Sequence, residues 1–435
     1  MFVYKKIKCA AVALFAACSV TVSDAAMSKG ELFENSYYAI DAMRTPEGMY
    51  RDKWNFYTPQ DNRGSIANVG VGIMALCIAD SMGWENNAQA KVIQTLETVT
   101  NGAPTATGYI WIDRNETGYY RHFFDTTTGA NVGNSEYSTI DTAILASAAL
   151  FAKNYFQNGA VSYWAERVYR GVDWSRAIAD PNAGTIFLEM QANGFGVPGQ
   201  TTSTFNEYMI VAYLAMLANN GNGGAATSLW NNYYGTIPNL PTSGYWQYSL
   251  LTDAPGTFIS GFIPQFNYFY CNAFSSNTQY VDYLRNAADA DALWFTHSGY
   301  GWAPYCWGVG AGASPVAGGY NADKIANNPW MVVSPHIIGG YSVGNVYSGP
   351  NAVDYSNDLA PLEDNFGASH YYINGRKIIW RFSLSDPNWK AQDLQGIDYS
   401  SMLFGLASLY GHCGPNFFNQ HNNYAGTTHW FHKYW

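Results

Sequence analysis

The stretch Asn134–Phe156, NSEYSTIDTAILASAALFAKNYF, decides how the rest of the chain reads. It opens polar, with Glu136 and Asp141 at the mouth of a predicted helix, and then runs apolar on nearly every face. A helix that is apolar all round is a buried one. When such a helix begins with two carboxylates, acid groups stand at the edge of a core.

Comparable stretches recur at Asn68–Ser81, Phe205–Ala218, Pro264–Phe274, Pro335–Val346 and Tyr399–Tyr410. Most are followed by an amphipathic segment, among them Ala88–Thr98, Tyr163–Ile178 and Thr278–Phe295. Lys29–Met43 forms one more helix of this kind. The buried segments start about 60–70 residues apart, a spacing that reads as a structural repeat. The predicted fold is all-α: an (α/α)6 barrel of six inner and six outer helices, with short β-hairpins in its loops. One hairpin is expected to join Tyr109–Asp113 to Tyr119–Phe124 around Asn115–Gly118. If the inner helices all run the same way, their N-termini share one rim, which gathers unsatisfied N–H groups and positive dipole ends. Acids at the helix starts then converge on one cavity.

Composition narrows the function. Charged residues make up 12% of the 435 and aromatic residues 17%, with 34 Tyr and 15 Trp. Low charge with high aromatic content argues for a large folded core and against disorder. The net charge is −10 and the body has no basic stripe, so nucleic acid is not an expected partner. A neutral, hydroxyl-rich ligand such as a polysaccharide or oligosaccharide suits this surface.

The N-terminus reads as an export signal over residues 1–25, followed by a single domain over 26–435. Lys5, Lys6 and Lys8 precede an apolar run, Cys9–Val22, too short to span a bilayer, and Ser23 and Ala25 suit cleavage. The expected location is periplasmic or secreted, with lipid attachment at Cys18 as the alternative. No later segment reads as a membrane span. Cys77, Cys271, Cys306 and Cys413 remain after export without a CxxC pair. A zinc site is therefore not expected, and the histidines, scattered along the chain, show no metal constellation. No metal and no organic cofactor is implied.

Each acid has a plain structural explanation beside its chemical one. Ser138-x-x-Asp141 and Thr204-x-x-Glu207 both fit the capping box, in which the acid returns a hydrogen bond to the cap residue's N–H. Asp125 ends a predicted strand, and Asp386 before Pro387 is a turn-initiating pair. The chemical alternative is glycoside hydrolysis. It needs one carboxylic acid to protonate the leaving oxygen and a second carboxylate to activate water or attack the sugar. Desolvation by neighbours such as Phe205, Tyr208 and Met209 would raise the pKa of Glu207. The N-terminal helix dipole works against it.

Several of these segments, in order, resemble a bacterial glycoamylase-like family related to endo-β-1,2-glucanases and to a domain of cyclic β-1,2-glucan synthases. Asn68-Val-Gly-Val-Gly-Ile-Met-Ala-Leu is similar to the family's early S-V-G-x-G-L-x-A-L helix. The most specific match runs from His122-Phe-Phe-Asp125 through Gly129, and from Ser135-Glu136 through Asp141-Thr-Ala. Phe205-Asn206-Glu207-Tyr-Met209-Ile is similar to Y-N-E-A-M-I. Trp307-Gly308-Val through Ser314-Pro315, and Gly396-Ile397-Asp398, match more loosely. The resemblance implies an (α/α)6 barrel, with Glu207 as general acid and Glu136 and Asp141 as further catalytic carboxylates. It implies Asp125, His122, Gln265, Trp307 and Asp386 as substrate contacts, with Asp141 and Asp386 the candidates for a base that acts through water in an inverting hydrolysis. Ala313 stands where the family carries an acid, and Gln265 is the remnant of a richer histidine and glutamine pattern. The expected function is cleavage of a β-glucan, most simply a β-1,2-glucan. The rivals are a glycan-binding protein that no longer turns its ligand over, and a lyase. The lyase is disfavoured by only 22 Lys and Arg and by acidic helix mouths. Trp302 and Trp330 join Trp307 as aromatics able to stack on sugar faces.

Overall fold

A computed structural model describes residues 27–106, 108–202, 205–219, 223–345, 354–366 and 370–435. The predicted export segment lies outside these residues, as does Thr204 of the second capping box.

Fourteen α-helices are found among the described residues, largely where apolar periodicity places them. The first seven are α1 (Lys29–Asp41), α2 (Ile66–Met82), α3 (Ala88–Asn101), α4 (Thr139–Phe156), α5 (Gly159–Arg170), α6 (Met209–Ala218) and α7 (Ala225–Leu229). The others are α8 (Phe262–Tyr270), α9 (Asn272–Ser275), α10 (Thr278–Phe295), α11 (Pro335–Gly340), α12 (Leu359–Asn365), α13 (Gly396–Ala407) and α14 (Phe417–His421). Strands among the described residues are short and occur only in antiparallel pairs. The fold is therefore mainly helical.

The six apolar stretches become α2, α4, α6, α8, α11 and α13. Each packs on the next in chain order, and α13 returns to α2, so the set closes on itself. Amphipathic helices lie outside: α1 against α13 and α2, α3 against α2, α5 against α4. Burial is nearly complete along the inner helices; in α4 every residue from Asp141 to Ala152 is buried. Buried apolar side chains from Met27 to Tyr424 form one continuous cluster.

Small residues set the helix spacing. A Cβ on Gly405 of α13 would lie 2.0 Å from the carbonyl oxygen of Gly339 in α11, so two backbones touch where no side chain fits.

Short strands lead into four of the inner helices. Arg63–Ser65 precedes α2 and pairs with Phe123–Asp125. Tyr137–Ser138 precedes α4 and pairs with Glu189–Met190. Val332–Val333 precedes α11 and pairs with Phe382–Ser383, and Asp393–Gln395 precedes α13 and pairs with Lys53–Asn55. These pairings draw distant loops to the helix starts.

The predicted hairpin is corrected here. Gly108–Ile110 pairs with Ala103–Thr105, and Phe123–Asp125 pairs with Arg63–Ser65. Asn115–Gly118 is still a tight turn, with Asn115 Oδ1 accepting from Thr117 and Tyr119 N–H, but the segments it joins form no strand ladder beyond an isolated Arg114–Tyr120 bridge, with Arg121 N–H donating to Asp113 O beside it. Phe123–Asp125 finds its partner in the distant segment that leads into α2, whereas Gly108–Ile110 pairs with its near neighbour Ala103–Thr105. Cys77, Cys271, Cys306 and Cys413 are all free thiols. Among the described residues no helix is long and apolar enough to cross a membrane.

Candidate active site

Ser138 caps α4: its Oγ accepts from Asp141 N–H at 3.2 Å and donates to Asp141 Oδ2. This departs from the capping box, because the acid returns its bond to the serine hydroxyl. Asp141 Oδ1 faces His122 Nε2 at 3.6 Å. The other ring nitrogen, Nδ1, is 2.9 Å from Glu136 Oε1. His122 is held there by backbone bonds: its N–H donates to Glu136 O, and its carbonyl accepts from Ile66 N–H at the start of α2.

Charge follows from this geometry. Burial disfavours a charged His122, but the carboxylates of Asp141, Glu136 and Asp52 outweigh it and raise its pKa to about 9. The hydrogen bond from His122 holds Glu136 below the usual carboxylate range. Burial pushes Asp141 up, against the opposing pull of His122 and Ser138. His122, Glu136 and Asp141 place ligand-type atoms within 4.8 Å of one another, a grouping not anticipated from the scattered histidines. With both ring nitrogens turned to carboxylates, an imidazolium already supplies the positive charge.

Glu207 lies in the turn just before α6, with Tyr208 as the cap, so the helix starts slightly later than its apolar pattern suggests. Its side chain is half-buried. Burial raises its pKa, and the nearby charges of Asp141 and Asp253 add to the effect, while a backbone N–H opposes it. Desolvation therefore prevails over that backbone hydrogen bond.

Beside His122 opens a cavity of about 480 Å³, walled by Asp52, Arg63, Tyr320, Trp389 and Asp398 among others. Asp398 stands in the first turn of α13. Tyr320 Oη donates to its Oδ1 at 3.3 Å, and its buried Oδ2 has no hydrogen-bond partner among the described residues. Burial lifts Asp398 to about 7 and the charge of Asp52 adds to this, although Arg381 and Tyr320 pull the other way. Asp52 is itself raised to about 6 by burial, against the pull of Arg63, His122 and Lys53. Ala313 lines the same cavity, so the position at which the resembling family carries an acid is a wall position here.

The predicted residues are only partly gathered. His122, Glu136 and Asp141 meet directly, and Glu207 adjoins them electrostatically through Asp141. Asp125 spends Oδ1 on Thr127 and Thr128 in its own turn. Asp386 likewise caps a turn, accepting from Asn388 N–H. Gln265 is fully buried and donates to Ile337 O, between α8 and α11. Trp307 is buried, donates to Asp358 at 2.7 Å and stacks on Tyr341. The last two are core residues in this structure. Asp52, Tyr320 and Trp389 were not anticipated as site groups. Asp398 was quoted only within a loose match, although the pattern of an acid at an apolar helix mouth would have found it.

No protein-family model matches the chain, and no curated protein matches it in sequence. Solved structures do. The chain shares its fold with β-1,2-glucanases. An endo-β-1,2-glucanase of Chitinophaga pinensis, solved with sophorotriose and glucose, superposes with a TM-score of 0.69 at 16% identity, covering 91% of this chain and 95% of that one. A β-1,2-glucanase of Parabacteroides distasonis gives 0.71 at 14% identity, covering 92% of this chain and 59% of that one. An endo-β-1,2-glucanase of Talaromyces funiculosus, solved with sophorose, gives 0.59 at 12% identity, covering 87% and 83%.

Proposed function

We propose that this protein is a glycoside hydrolase acting on a β-glucan, most simply a β-1,2-glucan, through carboxylate general acid and base catalysis. The closed set of inner helices is read as an (α/α)6 barrel, with residues 26–435 as one domain. The observation that carries the reading is the separation of charge states among acids beside the starts of α4, α6 and α13. Glu136 is held ionised by His122, while Glu207 and Asp398 are pushed toward the protonated form. Hydrolysis of a glycosidic bond needs an acid that keeps its proton near neutrality and a carboxylate that does not. Sharing a fold with solved glucanases that hold sophorose and sophorotriose supports the substrate class.

In this scheme Glu207 protonates the leaving oxygen. Water would be activated by a carboxylate that has lost its proton: Glu136 is held so by His122, and Asp141 and the Asp52–Asp398 pair serve in their ionised fraction, giving inversion. Asp398 becomes a candidate because it lines the cavity and its buried Oδ2 has no hydrogen-bond partner among the described residues. The scheme calls for no cofactor. Export by the leader at residues 1–25, to periplasm or medium, with Cys18 as the alternative lipid anchor, fits a polymeric substrate found outside the cytoplasm.

A second reading, glycan binding without turnover, is favoured by one observation: Ala313 removes an acid from the cavity wall. Reducing-end release from a panel of linear β-glucans, run with Glu207→Gln and Asp398→Asn alongside the wild type, separates the two. Turnover that is lost by about 10² or more in Glu207→Gln supports hydrolysis. Saturable binding with no release from any glucan replaces it with the binding reading.

A further inference from the structure

Trp389 forms part of two walls. One faces the cavity of Asp52, His122 and Asp398; the other faces a separate hollow of about 220 Å³. That hollow is apolar, made by Trp302, Phe366, Phe382, Leu384, Pro387 and Trp389. Its back is rigid, because Phe366 stacks on Phe382 with centroids 5.1 Å apart and planes at 28°. Trp302 stands 6.2 Å from Phe366, and its indole is 66% exposed. A large indole left in water beside an apolar hollow that no described residue fills is costly unless something covers it.

The shape and chemistry select the occupant. The hollow is smaller than the roughly 300–1,000 Å³ of a drug-sized pocket, and so suits a single ring. Aromatic walls favour a ligand with a flat C–H face, and the hollow is uncharged. One polar residue, Ser383, joins its lining; its Oγ donates to Trp330 O and accepts from Asp386 N–H, so the turn Ser385–Asp386 that follows Leu384 is tied to it. Asp386 accepts from Asn388 N–H through Oδ1, and Ser385 donates to Trp330 O. A pyranose ring combines a C–H face with peripheral hydroxyls and meets both requirements.

We infer that this hollow is a distal subsite that binds one sugar unit of the same glucan chain whose neighbouring units fill the main cavity, with Trp302 as its stacking platform. The inference rests on the glucan reading proposed above. Trp389, shared by both walls, supplies the continuity that a single chain needs to run from one to the other. The enzyme then gains affinity from chains long enough to reach Trp302, and short oligosaccharides forgo it.

The test is kcat/KM across a ladder of β-1,2-glucan oligosaccharides up to the polymer, for the wild type, Trp302→Ala and Leu384→Trp, which fills the hollow without removing the platform. The expected result is a fall of about tenfold in the ratio of polymer to shortest-substrate kcat/KM in both variants, carried mainly by KM. An unchanged ratio in folded variants overturns the subsite. If the wild type hydrolyses no glucan, the functional reading fails separately, and calorimetric titration with the same ladder decides the subsite: length-dependent affinity must be lost in both variants. Sedimentation velocity closes the remaining route. A wild-type dimer that Trp302→Ala converts to monomer shows that a second copy covers the indole, and overturns the inference.

Discussion

His122 Nε2 faces Asp141 Oδ1 at 3.6 Å, so the first acid of α4 looks across at a cation that the fold itself provides. The imidazolium is enclosed by Asp141, Glu136 and Asp52, and its pKa is raised from 6.5 to about 9. A raised pKa means that the folded state holds the proton more tightly than the unfolded chain. The stabilisation is therefore complete below about pH 6.5 and is lost as the pH rises through about 9. Thermal melts of the wild type and His122→Gln from pH 6 to 10 should converge toward the alkaline end. Parallel curves would show that His122 is neutral in the folded protein.

Glu207 should dominate the alkaline limb of the pH–rate profile. Its pKa is raised above the ordinary 4.5, chiefly by burial, so the proton-donating form persists to higher pH than in a free glutamate. Glu207→Gln is expected to lose about 10² or more in kcat and to flatten that limb in the residual activity. A variant that kept the wild-type limb would assign it to another group.

Asp398→Asn should stabilise the protein at alkaline pH. Asp398 is raised to about 7, so its contribution is full in acid and is lost as the pH rises through that value. Asparagine stands in for the protonated acid without the cost of ionising in a buried site. The expected gain in Tm is about 2 °C or more at pH 8 and close to none at pH 4. If the same variant also loses turnover, Asp398 belongs to the chemistry as well as to the wall.

Gly405→Ala tests ring closure. The substitution improves helix propensity by about 1 kcal/mol, but its methyl meets the Gly339 carbonyl at 2.0 Å, a contact only backbone movement can relieve. Overpacking of this kind costs about 1–3 kcal/mol, so a net loss is expected in urea unfolding. A variant as stable as the wild type would mean that α11 and α13 separate freely.

The inner helices were legible because burial on all faces writes itself into consecutive residues, as in Asn134–Phe156. The triad of His122, Glu136 and Asp141 was legible as residues because the three lie within one short span, although their meeting around an imidazolium was not. Asp52 carries no local signal at all. It reaches the cavity because Lys53–Asn55 pairs with Asp393–Gln395 and Gly396 N–H donates to its carbonyl, contacts between opposite ends of the chain. Trp307 and Gln265 show the converse error. An aromatic or amide in a family-like motif looks functional in one dimension, whereas here the indole serves Asp358 and the amide serves Ile337. The direction of a side chain and the partner of Phe123–Asp125 are long-range properties, whereas at Tyr109–Asp113 a nearer partner, Ala103–Thr105, takes the strand.

The antiparallel contact between Lys53–Asn55 and Asp393–Gln395 has a consequence for how the protein comes into being. Asp52 and Asp398 share a cavity wall yet are made at nearly opposite ends of translation. Synthesis must pass Asp398 before the wall exists, so a product that stops short of it carries Asp52 but not the finished cavity. The closed cavity then marks a chain in which these two distant segments have met.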